Sequence, residues 1–346
     1  MGRKGDGENE TFQLPSDDIT KERDEQNSIS PSPHLFFSPS SLIAVSQVMK
    51  EVLRLAERVA VTDTNVLITG ESGAGKDVIA QFIHAKSKRA ANDFVKVDCA
   101  SLPKDLIEAE LFGYERGAFT GATEAKPGRF ESAHKGTLVL DEIAHLTIEA
   151  QAKLLRVIER KEFERLGGRR LIKVDARIIA LTNVDLESAV KRKIFREDLF
   201  YRLNVVRLNV SPLYERREDI EPLANQFLKL FADKHGSAAK HFSITALEAL
   251  TNFNFSGNVR ELANTIERAV IVSNSERIEK EDLPESLQAM ITLKAKTSNR
   301  LTLAELEEEY VKETLMLTKG NKSRAAQLLG ISRKNLYERL ERYSKQ

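Results

Sequence analysis

The segment Gly70-Glu71-Ser72-Gly73-Ala74-Gly75-Lys76 constrains this chain more than any other stretch. It follows a short apolar run, Val66-Leu67-Ile68, and precedes a helical pattern from Lys76 to about Lys86. Glycines at this spacing let the backbone wrap phosphates, with amide N–H groups pointing inward and the lysine adding positive charge. These seven residues are the candidate phosphate-binding loop, a P-loop lying between a strand and a helix. The next position, usually a Ser or Thr that meets magnesium, is Asp77.

Further short apolar runs occur at Phe94–Val97, Leu138–Leu140 and Arg177–Leu181, separated by helical patterns such as Ile148–Glu159. Short buried strands alternating with helices predict an α/β fold around a mainly parallel sheet. The run Leu138-Val139-Leu140 ends in Asp141-Glu142. Carboxylates at the end of a buried strand suit magnesium (Asp141, with Asp77 a second candidate) and polarisation of an attacking water (Glu142). The two motifs in this order predict hydrolysis of a nucleoside triphosphate, with ATP and Mg²⁺ as cofactors.

The chain has 346 residues, room for two or three domains at roughly 150 residues each. Residues 1–30 carry four basic against eight acidic side chains, and residues 319–346 carry eight basic against two acidic ones. A near-zero net charge therefore conceals an acidic head and a basic tail. Cys99 is the single cysteine, which excludes an internal disulfide framework and suits a reducing cytoplasm. No apolar run approaches the ~18 residues of a membrane span, and Met1–Glu10 has no secretory apolar core. The expected division is a flexible acidic tail (1–38), an α/β subdomain (39–210), a helical subdomain (211–273), a linker (274–300) and a helix-turn-helix domain (301–346). Strands are expected to stop by Pro212. Thr302 and Glu305 read as a capping box opening a helix that Gly320 closes.

The stretch Leu111–Ala122 contains Gly117-Ala118-Phe119-Thr120-Gly121-Ala122. On this signature, together with the two phosphate motifs, the chain resembles the bacterial enhancer-binding proteins, AAA+ activators of the sigma-54 form of RNA polymerase. The likeness runs from about Leu42 to Arg342. It implies an AAA+ P-loop core with a helical lid, and that Gly117–Ala122 tip a surface loop touching the sigma factor. It further implies that Asn183 senses the γ-phosphate and that Arg196 and Arg202 are trans-acting fingers in a neighbour's site. Arg260, within Gly257-Asn258-Val259-Arg260-Glu261-Leu262, would reach the nucleotide from the lid. The implied assembly is a homo-oligomer, from dimer to hexamer. Where many relatives have Asn before the cysteine, this chain has Asp98. A carboxylate there cannot donate to Glu142 unless protonated, so Asp98 is a candidate switch with altered coupling. Phe255-Ser256 replaces a usual Trp-Pro, and Lys193 a frequent Gly.

Lys322–Arg342 has two-helix spacing with Gly330 near the turn, and resembles the Fis-type helix-turn-helix of the same activators. Ala326, Leu329, Ile331, Leu336 and Leu340 are expected to form its seam. Arg324, Ser332, Arg333, Lys334, Asn335, Tyr337 and Arg339 are candidates for double-stranded DNA upstream of promoters. Two other readings are a DNA-binding regulator that uses ATP only for assembly and an AAA+ replication initiator; initiators lack the Gly117–Ala122 signature. The tail is too short for a receiver domain, so control by a trans-acting partner protein or by expression level is expected.

Overall fold

In the computed structural model, which describes residues 42–288, 303–318 and 320–343, the apolar runs become strands of one five-stranded sheet. β1 (Val66–Thr69), β2 (Phe94–Asp98), β3 (Thr137–Asp141), β6 (Arg177–Thr182) and β7 (Val206–Asn209) lie in the order β2-β3-β6-β1-β7. Every pair is parallel, with Val66 opposite both Ile179 and Val206, and Val97 opposite Leu140. β1 and β6 are buried along their whole length, as central parallel strands covered on both faces must be. Side chains alternate along each strand, so the sheet divides two cores. Leu67, Leu138, Leu140, Ile178 and Ala180 pack with α3 (Lys104–Phe112), α5 (Ile148–Arg160) and α7 (Glu197–Leu203). Val66, Ile68, Val139, Ile179 and Leu181 pack with α1 (Gln47–Ala60) and α2 (Lys76–Ala85).

Buried polar contacts fix the helix ends. Ser46 caps α1, its hydroxyl accepting the Met49 N–H. At the other end Arg177, 1% exposed, donates to the carbonyls of Ala60 (2.9 Å) and Val59 (2.8 Å). The main chain thereby satisfies a guanidinium that would otherwise be costly to bury. A hairpin absent from the sequence reading, β4 (Glu162–Glu164) with β5 (Leu171–Lys173), stands outside the main sheet. Two short helices, α4 (Arg129–Ser132) and α6 (Leu186–Lys191), add Phe130, Leu186 and Ala189 to the first core.

Beyond Pro212 the helices are α8 (Ile220–His235), α9 (Ile244–Asn252) and α10 (Asn258–Val272). The expectation that strands stop there is corrected: β8 (His241–Phe242) pairs in parallel with β9 (Arg277–Ile278). The linker expectation is likewise corrected for residues 274–288, where Ile278, Leu283 and Leu287 are buried. Those isolated apolar positions lack a periodic pattern, and only tertiary packing selects them.

The last described part is a helix trio, α11 (Leu303–Leu317), α12 (Lys322–Leu328) and α13 (Arg333–Tyr343). Val311, Ala325, Ala326 and Leu336 are its buried centre, with Leu329, Ile331 and Leu340 against it, so the expected seam forms. The predicted tail, residues 289–300 of the predicted linker and the Thr302 cap lie outside the described residues. Among the described residues, no helix is long and apolar enough to cross a membrane.

Candidate nucleotide site

β1 ends at the phosphate loop, and α2 begins at Lys76 with Gly75 as its N-cap. Amide N–H groups at a helix start lack intrahelical partners, which makes this end of α2 a natural anion seat. Lys76 is 7% exposed and folds back on the loop, its Nζ donating to the carbonyls of Gly70 (2.9 Å) and Glu71 (3.1 Å). Glu142 Oε1 stands 3.9 Å from the same nitrogen. Burial pulls the Lys76 ammonium below the usual lysine range, and the charges of Glu142, Asp141 and Asp77 partly offset it.

Glu142 follows β3 in a left-handed conformation (φ 51°). Its Oε2 accepts the backbone N–H of Asn183, just past β6, at 3.2 Å. Neighbouring parallel strands thus deliver Lys76, Glu142 and Asn183 to one edge of the sheet, at the carboxyl ends of the strands where open α/β sheets bind ligands.

Asp77 and Asp141 converge on one cation within the protein. Lys96 Nζ on β2 lies 2.6 Å from Asp77 Oδ1 and 2.9 Å from Asp141 Oδ2. Although burial works against its charge, the two carboxylates hold this ammonium above the usual lysine range. Asp98 Oδ1 accepts the N–H groups of Ala100 (2.9 Å) and Ser101 (3.3 Å), so it caps the turn after β2.

The lid meets the phosphate loop directly. Arg260 Nη1 donates to Ser72 Oγ at 3.1 Å, and the Val259 N–H donates to the Gly73 carbonyl at 3.0 Å. Asn258, fully buried at φ 55°, donates to Glu71 Oε2 (2.9 Å) and the Ser72 carbonyl (3.1 Å) while accepting the Leu213 N–H. Tyr214 Oη donates to Glu71 Oε1 at 3.1 Å. Arg216, 3% exposed, donates to the Ala74 carbonyl and pairs with the buried Asp219 at 3.8 Å. Asp219 in turn accepts the N–H groups of Val45 and Ser46. Ser72, Arg260, Asn264, Arg268 and Pro284 line an open cleft where loop and lid meet.

Arg196 and Arg202 lie at the solvent-exposed start and body of α7. Arg196 pairs with Asp198 at 2.7 Å and Arg202 with Glu159 at 3.1 Å. The Gly117–Ala122 loop is closed by Gly117 N–H to Ala122 carbonyl (2.8 Å) and Ala122 N–H to Phe119 carbonyl (3.0 Å). Phe119 is 38% exposed, its ring edge-on to Tyr114 at 5.0 Å. At the loop's base, Arg165 reaches Glu115 (3.1 Å) and Glu131 (2.7 Å).

Residues 42–209 match the sigma-54 interaction domain, 214–301 the AAA+ ATPase lid domain and 302–343 the bacterial regulatory protein, Fis family. Regulatory protein AtoC of Escherichia coli (strain K12) is 44% identical over 310 residues, covering 87% of this chain and 67% of that protein. The E. coli (strain K12) transcriptional regulatory protein ZraR is 41% identical, covering 90% of this chain and 70% of its own length. The chain belongs to the bacterial enhancer-binding family of sigma-54-dependent transcriptional activators. Nitrogen fixation protein AnfA of Azotobacter vinelandii is 45% identical, but this chain spans only 58% of its length. Among solved structures, NtrX from Brucella abortus in complex with ATP aligns with a TM-score of 0.66 and 37% identity, covering 87% of this chain and 68% of that one. The ADP complex aligns at 0.67 and 36%. The activator thus combines an AAA+ P-loop NTPase core, a helical lid and a Fis-type helix-turn-helix.

In the activator's helix trio, Arg324, Ser332, Arg333, Lys334, Asn335 and Tyr337 are exposed, as DNA-facing residues require. Two of the candidate residues also make contacts within the trio. Arg339 is only partly exposed and pairs with Glu307 of α11, because its place on α13 turns it back toward the trio. The Ser332 hydroxyl accepts the Asn335 N–H at 3.2 Å, a capping role at the start of α13. Lys322 Nζ sits 4.7 Å from the Tyr337 ring centroid, a cation–π contact joining α12 to α13. Sequence reasoning missed Lys96, Tyr214, Arg216 and Asn258. The lone charge in the apolar run Phe94-Val95-Lys96-Val97 was a usable signal for the first. Asn258 sat inside the quoted motif, where only Arg260 was given a role.

Proposed function

We propose that this activator binds DNA upstream of promoters and uses ATP hydrolysis in a homo-oligomeric ring to open the closed sigma-54 polymerase–promoter complex. The supporting observation is that Lys76 and Arg260 both bond to one glycine-rich loop, while Glu142, held by the Asn183 N–H, stands 3.9 Å from the Lys76 ammonium. In this reading residues 70–77 bind the nucleotide, Asn183 reports its γ-phosphate and Arg260 joins from the lid. The chain divides into tail, α/β subdomain, lid, linker and DNA-binding domain. The lid extends through residue 288 because Leu283 and Leu287 are packed there. In this reading the protein acts in the cytoplasm.

Among the described residues no group of three or more His, Cys, Asp or Glu side chains forms a metal cluster. A magnesium ion would therefore rely on the nucleotide's phosphates plus Asp77 and Asp141. These carboxylates fit it, since both already address a single cation at the loop. When bound, the ion neutralises charge developing on the phosphates. Glu142 orients and deprotonates the attacking water, with the Asn183 N–H fixing its carboxylate between turnovers. Lys76 leaves the loop carbonyls for phosphate oxygens. Arg196, half-exposed, and Arg202, exposed, are held by the surface carboxylates of Asp198 and Glu159 and can turn toward a neighbouring protomer, where a guanidinium offsets transition-state charge.

Phe119 and Thr120 carry the stroke to the sigma factor. Asp98, engaged with its own turn, leaves Glu142 without a donor from β2, so coupling between sigma contact and hydrolysis is looser than with an amide there. The deciding experiment is promoter opening by purified protein with sigma-54 polymerase, comparing ATP with a non-hydrolysable analogue. Opening is expected with ATP alone, and Glu142→Gln should bind ATP yet lose about 10²–10⁴-fold in turnover. Full opening by that variant would favour a regulator that uses ATP only to assemble.

A further inference from the structure

Lys96 lies on β2 opposite Val139 of β3, and Val139 faces the core shared with α1 and α2. That register directs the Lys96 side chain toward the first turn of α2, where Asp77 stands. Its ammonium is thereby in direct contact with one oxygen of Asp77 and one of Asp141. The side chain keeps 26% of its surface exposed, so its head has a route to solvent.

Two carboxylates addressing one point repel each other unless a cation stands between them. An ammonium is a compact point charge on a flexible stem, able to fill this role and to leave it. A divalent ion drawn to the same oxygens competes with the ammonium, because the two positive charges repel each other at that distance. We propose that Lys96 is a resident counter-cation of the metal site: it holds Asp77 and Asp141 together in the metal-free protein and is displaced by the divalent ion that enters with nucleotide. Lys96 therefore sets the metal concentration at which the loaded site fills. This rests on the reading of Asp77 and Asp141 as the carboxylates that meet the ion.

The test uses full-length protein saturated with ADP and titrated with Mn²⁺, followed by the electron paramagnetic resonance of the free ion. Lys96→Met is expected to bind Mn²⁺ at least about fivefold tighter than wild type, and Lys96→Arg to stay within about twofold. In EDTA without nucleotide, Lys96→Met should melt below wild type and recover more on Mn²⁺ addition. A readout on the unaltered chain guards against misfolding of the variants. Acetylation of Lys96, followed by mass spectrometry, should be slow in the metal-free ADP complex and accelerate severalfold with Mn²⁺. Equal or weaker Mn²⁺ binding by Lys96→Met, or acetylation indifferent to Mn²⁺, would overturn the proposal and leave Lys96 a fixed bridge. ADP binding is measured separately in EDTA; its absence in wild type would instead defeat the nucleotide-site reading.

Discussion

Two glycine-bearing loops of this activator are built on opposite principles. At Gly73 (φ 74°) a Cβ would stand 2.3 Å from the Gly257 carbonyl oxygen, so the phosphate loop lies hard against the lid. At Gly121 (φ 105°) a Cβ would meet nothing within 4 Å. The first glycine is required by contact as well as by backbone conformation, the second by backbone conformation alone. The phosphate loop is bonded across to Asn258, Val259, Arg260, Tyr214 and Arg216. The Phe119 loop bonds mainly within itself and hangs from a base anchored by Arg165. One loop therefore registers any lid movement, while the other can reorient without disturbing the core.

The sharpest way to break this contrast is at its two glycines. Gly73→Ala should cost about 2–5 kcal/mol, combining overpacking against backbone with left-handed strain, and abolish nucleotide binding. Chemical denaturation with a fluorescent-ADP titration checks it; a wild-type midpoint would show that the lid yields. Next in size, Asn258→Ala leaves the Leu213 N–H and the Glu71 carboxylate without their amide partner and puts alanine at φ 55°. A loss of about 2–4 kcal/mol is expected, with weaker nucleotide binding.

On the other loop, Gly121→Ala should cost only about 1–2 kcal/mol, leave ATP turnover intact and impair promoter opening. Parallel ATPase and promoter-opening assays separate the two effects, and a matching fall in ATPase would show the loops to be coupled more tightly than their contacts suggest. Smallest of all, Arg165→Ala removes partly exposed ion pairs worth about 0.5–1 kcal/mol. Its melting temperature should scarcely move while sigma-dependent stimulation of ATPase declines. Asp98→Asn sharpens the picture from the catalytic side: ATPase stimulation by sigma factor should differ from wild type, measured with both proteins at equal oligomer concentration.

The phosphate loop, Asp141-Glu142 and the C-terminal seam were legible because each is a local pattern: fixed spacing, a strand end, a helical period. Arg260 was legible through its motif. Lys96 showed only as a lone charge in an apolar run, and its role depends on a strand register that aims it at α2. No local pattern marks Arg216 and Asp219 for burial; only folding packs them against Ala74 and Ser46. The Arg339–Glu307 pair was likewise hidden, because it depends on how α13 packs against α11. The strands β8 and β9, two residues each, are too short to leave any periodic trace.

Asp219 gives the molecule a mechanical property. It grips the chain at Val45 and Ser46 with three hydrogen bonds, and through Arg216 it is linked to the carbonyl of Ala74. A tug on the polypeptide where it enters α1 travels through two interior side chains to the cradle for the phosphates. The doorway of the domain and its engine are wired in series.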